Sequence, residues 1–296
     1  IWQHRMHVVA KQDGGPRRTV DMRSLNAHCK RETQHLTPPF RTARLIPPRT
    51  WKTKTDAWNG YHSCPLDERD QDLTTFVTEW GRFKYKVSPQ GFVASGDGYN
   101  RRYDDLIERK VKCVDDVCLW DEEDDMTLHW WRVIDYLIMV GNHGVILNPQ
   151  KCEFCKKELE IAGFVVSENG VKPPERILDS IRNFPSPTNI SEVRSWPGLI
   201  NQVAHYADLR EQMAMFKPLL SPKTQFKWDH DLEIAFRESK VEIAKLVEEG
   251  VTIFEPGRTT VLSTDWSRVG IGYWLYQKHC YCPVVEPGCC EGGWKV

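Results

Sequence analysis

The 296-residue sequence lacks any apolar run approaching the roughly 20 residues that a membrane-spanning helix needs, which argues for a soluble protein with no membrane partner. It has no internal repeat, no low-complexity tract and no signal-peptide pattern; opening on Ile1, it reads as a piece of a longer chain. Neither sign of charge is in excess, since 40 Lys and Arg stand against 41 Asp and Glu, and 40% apolar content excludes collagen, coiled coil and wholesale disorder. The ten cysteines form no even disulfide framework: Cys29, Cys64, Cys113 and Cys118 stand apart, so free thiols in a reducing compartment are expected. A complete zinc set is missing too. Cys152-x-x-Cys155 and His279-Cys280-Tyr281-Cys282 with Cys289-Cys290 each want a second pair at a standard spacing, and structural thiols are the preferred reading.

What is present is uneven. Residues 1–55 carry twelve Lys and Arg against three acids, a local net charge of +9. Asp115, Asp116 and the run Asp121-Glu122-Glu123-Asp124-Asp125 form an acidic centre. A basic front and an acidic middle suggest a polyanion partner beside a cation site, although two ordinary solvated faces would look the same. The alternation of Arg82–Val87 predicts a strand. Lys110–Val114 and Val117–Trp120 are strand-like runs separated by Asp115-Asp116, which is hairpin spacing with the acids at the turn. Leu128, Trp131, Ile134, Leu137 and Ile138 recur at helical spacing until Gly141-Asn142-His143-Gly144. Leu159–Val166 reads as a strand meeting an Asn169-Gly170 turn, and Asn189-Ile190-Ser191-Glu192 as a capping box. Leu232–Val247 is an amphipathic helix ending at Gly250, and strands are expected at Thr259–Ser263 and Val269–Tyr276 around Asp265. Strands in the middle followed by helices predict an α+β core with a helical appendage.

Three carboxylates carry the chemistry. Asp56 follows the basic run Lys52-Thr53-Lys54-Thr55, and Asp115-Asp116 sits at the hairpin turn. Acids held together at a tight turn repel one another and need a cation or a proton between them. Two divalent ions about 3.5–4 Å apart, bridged by such acids, would clamp an in-line phosphoryl displacement, and Mg²⁺, with Mn²⁺ as a substitute, suits oxygen ligands. A lone Asp-Asp, however, also simply makes a good turn.

The surroundings decide between these. Val8-Val-Ala-Lys11-Gln-Asp-Gly14, Arg17-Arg-Thr-Val-Asp21-Met-Arg23-Ser-Leu-Asn26, Thr55-Asp56-Ala-Trp-Asn-Gly-Tyr61-His62, Leu73-Thr-Thr-Phe76, Ser88-Pro-Gln-Gly-Phe92, Cys113-Val-Asp115-Asp116-Val117, Asn148-Pro-Gln-Lys151-Cys-Glu-Phe154, Ala162-Gly163-Phe-Val-Val-Ser167 and Arg194-Ser-Trp-Pro-Gly-Leu199 follow one another in order. In this order they resemble the reverse transcriptase of gypsy-type LTR retrotransposons and, more distantly, the retroviral enzymes. Ser263-Thr-Asp265 with Val269-Gly-Ile-Gly272 resembles the opening of the linked RNase H domain.

The resemblance implies a right-hand polymerase of fingers, palm with an antiparallel sheet, and thumb, followed by a truncated RNase H-like segment. Fingers and palm would occupy residues 1–170, the thumb 171–224 and the RNase H-like part 225–296. It implies Asp56, Asp115 and Asp116 as catalytic metal ligands with the Ala57 carbonyl beside them. Lys11, Arg17, Tyr61 and Gln90 would bind the dNTP, Tyr61 by crowding a ribose 2′-hydroxyl, and Ala162 and Gly163 would grip the primer. Asp265 would be a vestige of the RNase H site, too little alone for that activity. The implied partners are an RNA template, a DNA primer or duplex and dNTPs. The implied location is intracellular, cytoplasmic in virus-like particles, with nuclear access open. A decayed or co-opted remnant that binds nucleic acid without catalysis is the alternative function. Cys113 stands where the family places Tyr, residues 102–112 are several positions short, and Pro197 is expected to kink or break its helix at about 3 kcal/mol.

Overall fold

Lys52, at the start of a strand running Lys-Thr-Lys-Thr-Asp, is completely buried. A lysine tolerates such a position only when every ammonium proton finds an acceptor, and its Nζ donates to the carbonyls of Thr50 (2.9 Å) and Lys157 (3.1 Å). The computed structural model describes residues 2–10, 14–30, 37–103, 110–113, 115–221, 226–267, 270–283 and 293–295. The chain divides into two units, Ile1–Leu45 with Thr50–Ala162, and Ile46–Arg49 with Gly163–Val296.

In the first unit, β1 (Met6–Ala10) and β2 (Pro16–Val20) form an antiparallel hairpin in the register Met6↔Val20 to Ala10↔Pro16. Short helices α1 (Arg23–Asn26) and α2 (Pro39–Arg44) lead into β3 (Lys52–Asp56). After α3 (Glu68–Gln71) comes the hairpin of β4 (Phe76–Thr78) and β5 (Gly81–Phe83), then α4 (Ser95–Tyr103). Strands β6 (Lys110–Cys113) and β7 (Asp116–Trp120), helix α5 (Met126–Asn142) and strands β8 (Glu153–Lys156) and β9 (Leu159–Ile161) complete the unit. The central sheet is antiparallel in the order β6-β7-β3-β8. Helix α5, capped by the Asp125 carboxylate on Thr127 N–H and Leu128 N–H, packs Val133, Tyr136 and Val140 on Val117 and Leu119 of β7.

One strand is shorter than its alternation predicts. Only Gly81–Phe83 is ladder-paired, because the Tyr85 N–H goes to the Thr74 hydroxyl and the Lys86 carbonyl accepts from Leu66. Leu159–Val166 likewise splits in two, since Ala162 (φ +50°) and Gly163 (φ +86°) are both left-handed. The boundary between the two units falls at this pair.

In the second unit β10 (Phe164–Val166) and β11 (Val171–Lys172) form the hairpin announced by Asn169-Gly170. Helices α6 (Glu175–Arg182), α7 (Ile190–Ile200), α8 (Arg210–Met213) and α9 (His230–Glu248) follow, then β12 (Thr260–Ser267), β13 (Gly270–Lys278) and β14 (Trp294–Lys295) in an antiparallel sheet. Asn189 caps α7 by accepting from Ser191 N–H and Glu192 N–H, as its box predicts. Pro197 does not break α7, which runs on to Ile200. Trp196, almost fully buried and packed edge-on against Phe184 (5.3 Å) and Phe236 (5.1 Å), holds the helix across the missing hydrogen bond.

Candidate active site

The register of β3 on β7 sets Asp56 directly opposite Asp116, across 59 intervening positions of sequence. Asp115 occupies the turn just before β7, and its carbonyl accepts from the Ala57 N–H (3.1 Å), so the chain ends of β3 and the β6–β7 hairpin are tied at one point. The following residues are tied as well: Asn148 N–H donates to the Asp56 carbonyl (2.9 Å) and Trp58 N–H to the Ile146 carbonyl (2.7 Å). The three acids therefore meet because antiparallel pairing, not proximity in sequence, brings them together.

Their electrostatics follow from that crowding. Burial first, then the charges of Asp56 and Asp116, push the Asp115 carboxyl above its ordinary range. Burial and Asp56 raise Asp116 too, while the Lys54 ammonium and a hydrogen bond from the Ala162 N–H pull the other way. The left-handed backbone of Ala162 aims that N–H at the Asp116 carboxylate. Asp56, with its side chain 13% exposed, is held by the Lys151 ammonium at 3.2 Å. The Asp115 Oδ1 atom is buried with no hydrogen-bond partner.

Among the described residues no three His, Cys, Asp or Glu side chains stand as a ready-made ion cage, and Lys151 supplies the positive charge next to Asp56. The donor set nevertheless fits a hard divalent cation. It consists of carboxylate oxygens from three aspartates, one of them orphaned and buried, two of them pushed above the ordinary range by burial and by neighbouring carboxylates, with the Ala57 carbonyl as a further oxygen. Asp56, Asp115 and Asp116 could thus hold Mg²⁺ or Mn²⁺, with Lys151 moving aside.

A cleft of ≈ 750 Å³ opens beside them, walled by Arg17, Asp56, Asp115, Gln90, His62 and Lys151 among others. Two sequence-predicted groups meet there: the Arg17 guanidinium donates to the Gln90 side-chain oxygen (3.3 Å) across 73 residues. Lys11 lies outside the described residues. Tyr61 sits in the single turn Gly60–Ser63, half-buried, with its ring edge-on to Tyr99 at 5.8 Å. Burial, then Asp115 and Asp97, raise its phenol. Its neighbours Asn59 and His62, not Tyr61 itself, form the cleft wall, so in this state the ring serves the cluster of Ala57, Tyr99 and Tyr103. Cys113 closes β6 opposite Asp116, its thiol raised by burial first and Asp116 next. Ala162 and Gly163 stand at the end of the first unit and the start of the second. Asp265 lies on β12 of the second unit, 72% exposed and paired with Arg210 at 3.2 Å.

Several residues with a part in this site escaped the sequence reading. Asn26 clamps the Pro89-Gln90-Gly91 turn, donating to the Gly91 carbonyl (2.9 Å) and accepting from Val93 N–H (2.9 Å). Arg18 lines the same cleft and lies over the rings of Phe76 (5.4 Å) and Tyr85 (5.1 Å). Lys54 pairs with Glu153 (2.6 Å). The +9 front is therefore only partly a polyanion-binding surface. Behind β3, Cys155 N–H donates to the Thr53 hydroxyl, which faces His129 Nε2 (2.9 Å), and His129 Nδ1 meets Asp121 (2.7 Å), itself paired with Arg132 (2.5 Å). With His129 and Asp121 at 0% and 1% exposure, this chain of hydrogen bonds bolts the carboxylate-bearing strand to α5. Gly60 is the remaining surprise. A methyl group there would stand 2.8 Å from Asp115 Oδ1 and 2.9 Å from the Tyr99 ring.

Residues 9–166, more than half of the chain, match the family described as reverse transcriptase (RNA-dependent DNA polymerase). The transposon Tf2-3 polyprotein of Schizosaccharomyces pombe is 27% identical over 278 residues, covering 92% of this chain and 20% of that protein. The Tf2-7 polyprotein of the same yeast is 27% identical over 277 residues with the same coverage. The chain thus spans about a fifth of the length of the curated relatives it matches. Among solved structures, a foamy viral protease-reverse transcriptase in complex with double-stranded DNA superposes with a TM-score of 0.83 at 19% identity, covering 93% of this chain and 49% of that one. A second, in complex with an RNA/DNA hybrid, gives 0.75 at 19% identity over 93% of this chain and 37% of that one. At such identity the superposition speaks for the fold, an α+β polymerase architecture of antiparallel sheets and helices.

Proposed function

Because this chain belongs to the reverse transcriptase (RNA-dependent DNA polymerase) family, we propose that it is the polymerase portion of a retroelement Pol polyprotein, synthesising DNA on RNA and DNA templates. The observation that carries this reading is the pairing of Asp56 with Asp116, and of Ala57 with Asp115, at the edge of a cleft that also holds Arg17 and Gln90. In the reaction the primer 3′-hydroxyl oxygen attacks the α-phosphorus of a dNTP and pyrophosphate leaves. Asp56, Asp115 and Asp116, with the Ala57 carbonyl, would hold the divalent ions, which supply charge stabilisation for the attacking and leaving oxygens. Arg17 binds the triphosphate, where a guanidinium meets phosphate oxygens in bidentate fashion, and Gln90 fixes its direction before the nucleotide arrives. Lys11 is assigned to the same task on sequence grounds. Tyr61 limits the space under the sugar once nucleotide enters, its ring backed by Tyr99. Ala162 and Gly163 grip the primer end, and the Ala162 N–H orients Asp116.

Residues 1–170 are assigned to fingers and palm, 171–224 to a thumb and 225–296 to the start of an RNase H-like segment. Asp265, the acid assigned to that segment's site, is tied to Arg210. Nucleic acid partners accord with the basic residues that face the cleft and with the duplexes bound to the foamy viral proteins of like fold. The test is primer extension by the purified chain on an RNA template with Mg²⁺ or Mn²⁺, alongside Asp115→Asn. Metal-dependent incorporation lost in the variant is the expected result. Template binding without incorporation by the unaltered chain would overturn the enzyme reading in favour of a non-catalytic remnant.

A further inference from the structure

Helix α5 carries an apolar face that the core does not use. Its buried side is His129, Val133, Tyr136 and Val140, of which the last three pack on β7. Met126, Trp130, Ile134 and Ile138 recur every four residues, so at about 100° per residue they form a continuous ridge on another side of the helix. From Met126 to Ile138 the ridge is about 18 Å long, and Trp131 stands beside it. Met126, Trp130, Trp131 and Ile138 are 53%, 47%, 61% and 58% exposed. Neither indole has a hydrogen bond or ring contact among the described residues. Single exposed apolar side chains are ordinary, but two tryptophans continuous with an aliphatic ridge mark an interaction surface.

The charges around the ridge are of one sign. Asp135 is exposed at four residues from Trp131 and three from Ile138, which makes it their neighbour on the helix surface. Glu122 and Glu123 are exposed just ahead of the helix. None of these three carboxylates has an ion pair or hydrogen bond among the described residues. Asp124 is committed to Lys157 and Asp125 to the helix cap, while Arg132, the one Lys or Arg on the helix, is committed to Asp121. This charge pattern selects the occupant. An anionic membrane surface or a nucleic acid would be repelled. A second copy paired about a twofold axis at Ile134 would set each Asp135 beside its counterpart and bring no cation to the face. The complement is a helix with an apolar stripe to fill the grooves beside the ridge and Lys or Arg along its margins.

We propose that the outer face of α5 is a docking surface for a basic amphipathic helix of a partner protein, anchored on Trp130, Trp131 and Ile138 and oriented by Asp135. Tryptophan suits the anchoring role, because one buried indole carries a large share of an interface's binding energy. The carboxylates fix direction and speed encounter more than they add affinity. None of these residues lines the cleft beside Asp56 and Asp115, so the surface is independent of the polymerase reading.

The test is calorimetric titration of the full chain with two synthetic peptides of about four helical turns, one with Leu on one face and Lys on the other, its counterpart with Glu in place of Lys. Saturable binding of the Lys peptide, about tenfold or more tighter than the Glu peptide, is expected. Trp131→Asp should weaken it about 30-fold or more, the mark of an interface anchor. Asp135→Asn, which leaves the apolar ridge whole, should weaken it about three- to tenfold. Both side chains are exposed, so neither change should lower the melting temperature or primer extension. Three results would each overturn the proposal: no saturable binding of the Lys peptide, equal affinity for the Glu peptide, or affinity unchanged in both variants. So would a dimer in sedimentation, or binding to phosphatidylglycerol vesicles, that Trp131→Asp abolishes, since either assigns the face to a different occupant.

Discussion

Gly60→Ala is a change of one methyl group, and it tests whether the placement of Asp115 governs catalysis. The added carbon would stand 2.8 Å from Asp115 Oδ1 and 2.9 Å from Cε2 and Cζ of Tyr99. Ordinary contact begins near 3.5 Å, so about 0.6–0.7 Å of retreat is needed on each side. Tyr99 has little freedom to give: it is 2% exposed, edge-on to Tyr61, packed at a tilt against Tyr103 (5.0 Å) and covered by the Lys112 ammonium at 4.7 Å. Asp115, at a turn with its Oδ1 unpartnered, is the group that moves. Overpacking of this kind costs about 1–3 kcal/mol of stability. Displacing a reacting-site group by close to 1 Å costs about 100-fold in rate, so a loss of roughly 10- to 100-fold in single-turnover extension is expected. Gly98→Ala on α4 is the control, because a methyl group there meets nothing within 4 Å. Extension by Gly60→Ala within about twofold of the unaltered chain, or an equal loss in Gly98→Ala, would refute the reasoning.

Further outcomes follow from the same geometry. Asp115→Asn should abolish extension, leave template binding intact and raise the melting temperature near neutral pH. Its carboxyl titrates above the ordinary range when folded, so the fold binds that proton more tightly than the unfolded chain does; stability falls as pH rises through this window, and a neutral amide removes the penalty. Arg17→Ala should raise the dNTP KM about 10- to 100-fold with duplex affinity nearly unchanged, and equal loss of both would make Arg17 an ordinary backbone contact. Tyr61→Ala should admit ribonucleotides while Tyr61→Phe changes little, whereas a drop in melting temperature with unaltered sugar selectivity would assign Tyr61 to the Tyr99 cluster alone. Asp121→Ala leaves Arg132 and the His129 Nδ1–H without their buried partner and should cost about 3–5 kcal/mol by urea titration. In the unaltered chain burial holds His129 below its ordinary range; the unfolded chain binds that proton first, so stability should decline as pH drops below about 6.5.

The sequence by itself determined the elements whose information is local. Asn189 announces the start of α7, Asn169-Gly170 the turn between β10 and β11, and Asp115-Asp116 the β6–β7 hairpin. It also offered Asp56, Asp115, Asp116, Arg17 and Gln90 as candidates, because ordered motifs along the chain resemble one family and each motif is only a few residues long. Tertiary structure decided what depends on partners far away in sequence. Which basic residues face the cleft could not be read from charge, since Lys52 is buried against carbonyls and Lys54 lies on Glu153, whereas Arg17 and Arg18 line it. The continuity of α7 through Pro197 rests on Trp196 packed against Phe236, a contact 40 residues away that outweighs the local helix-breaking preference. Gly60, Asn26 and the His129 chain carry no signature of their own. Each matters only because antiparallel pairing of β3 with β7 sets distant side chains within van der Waals or hydrogen-bond range, and register is a property of the folded sheet rather than of any short stretch of sequence.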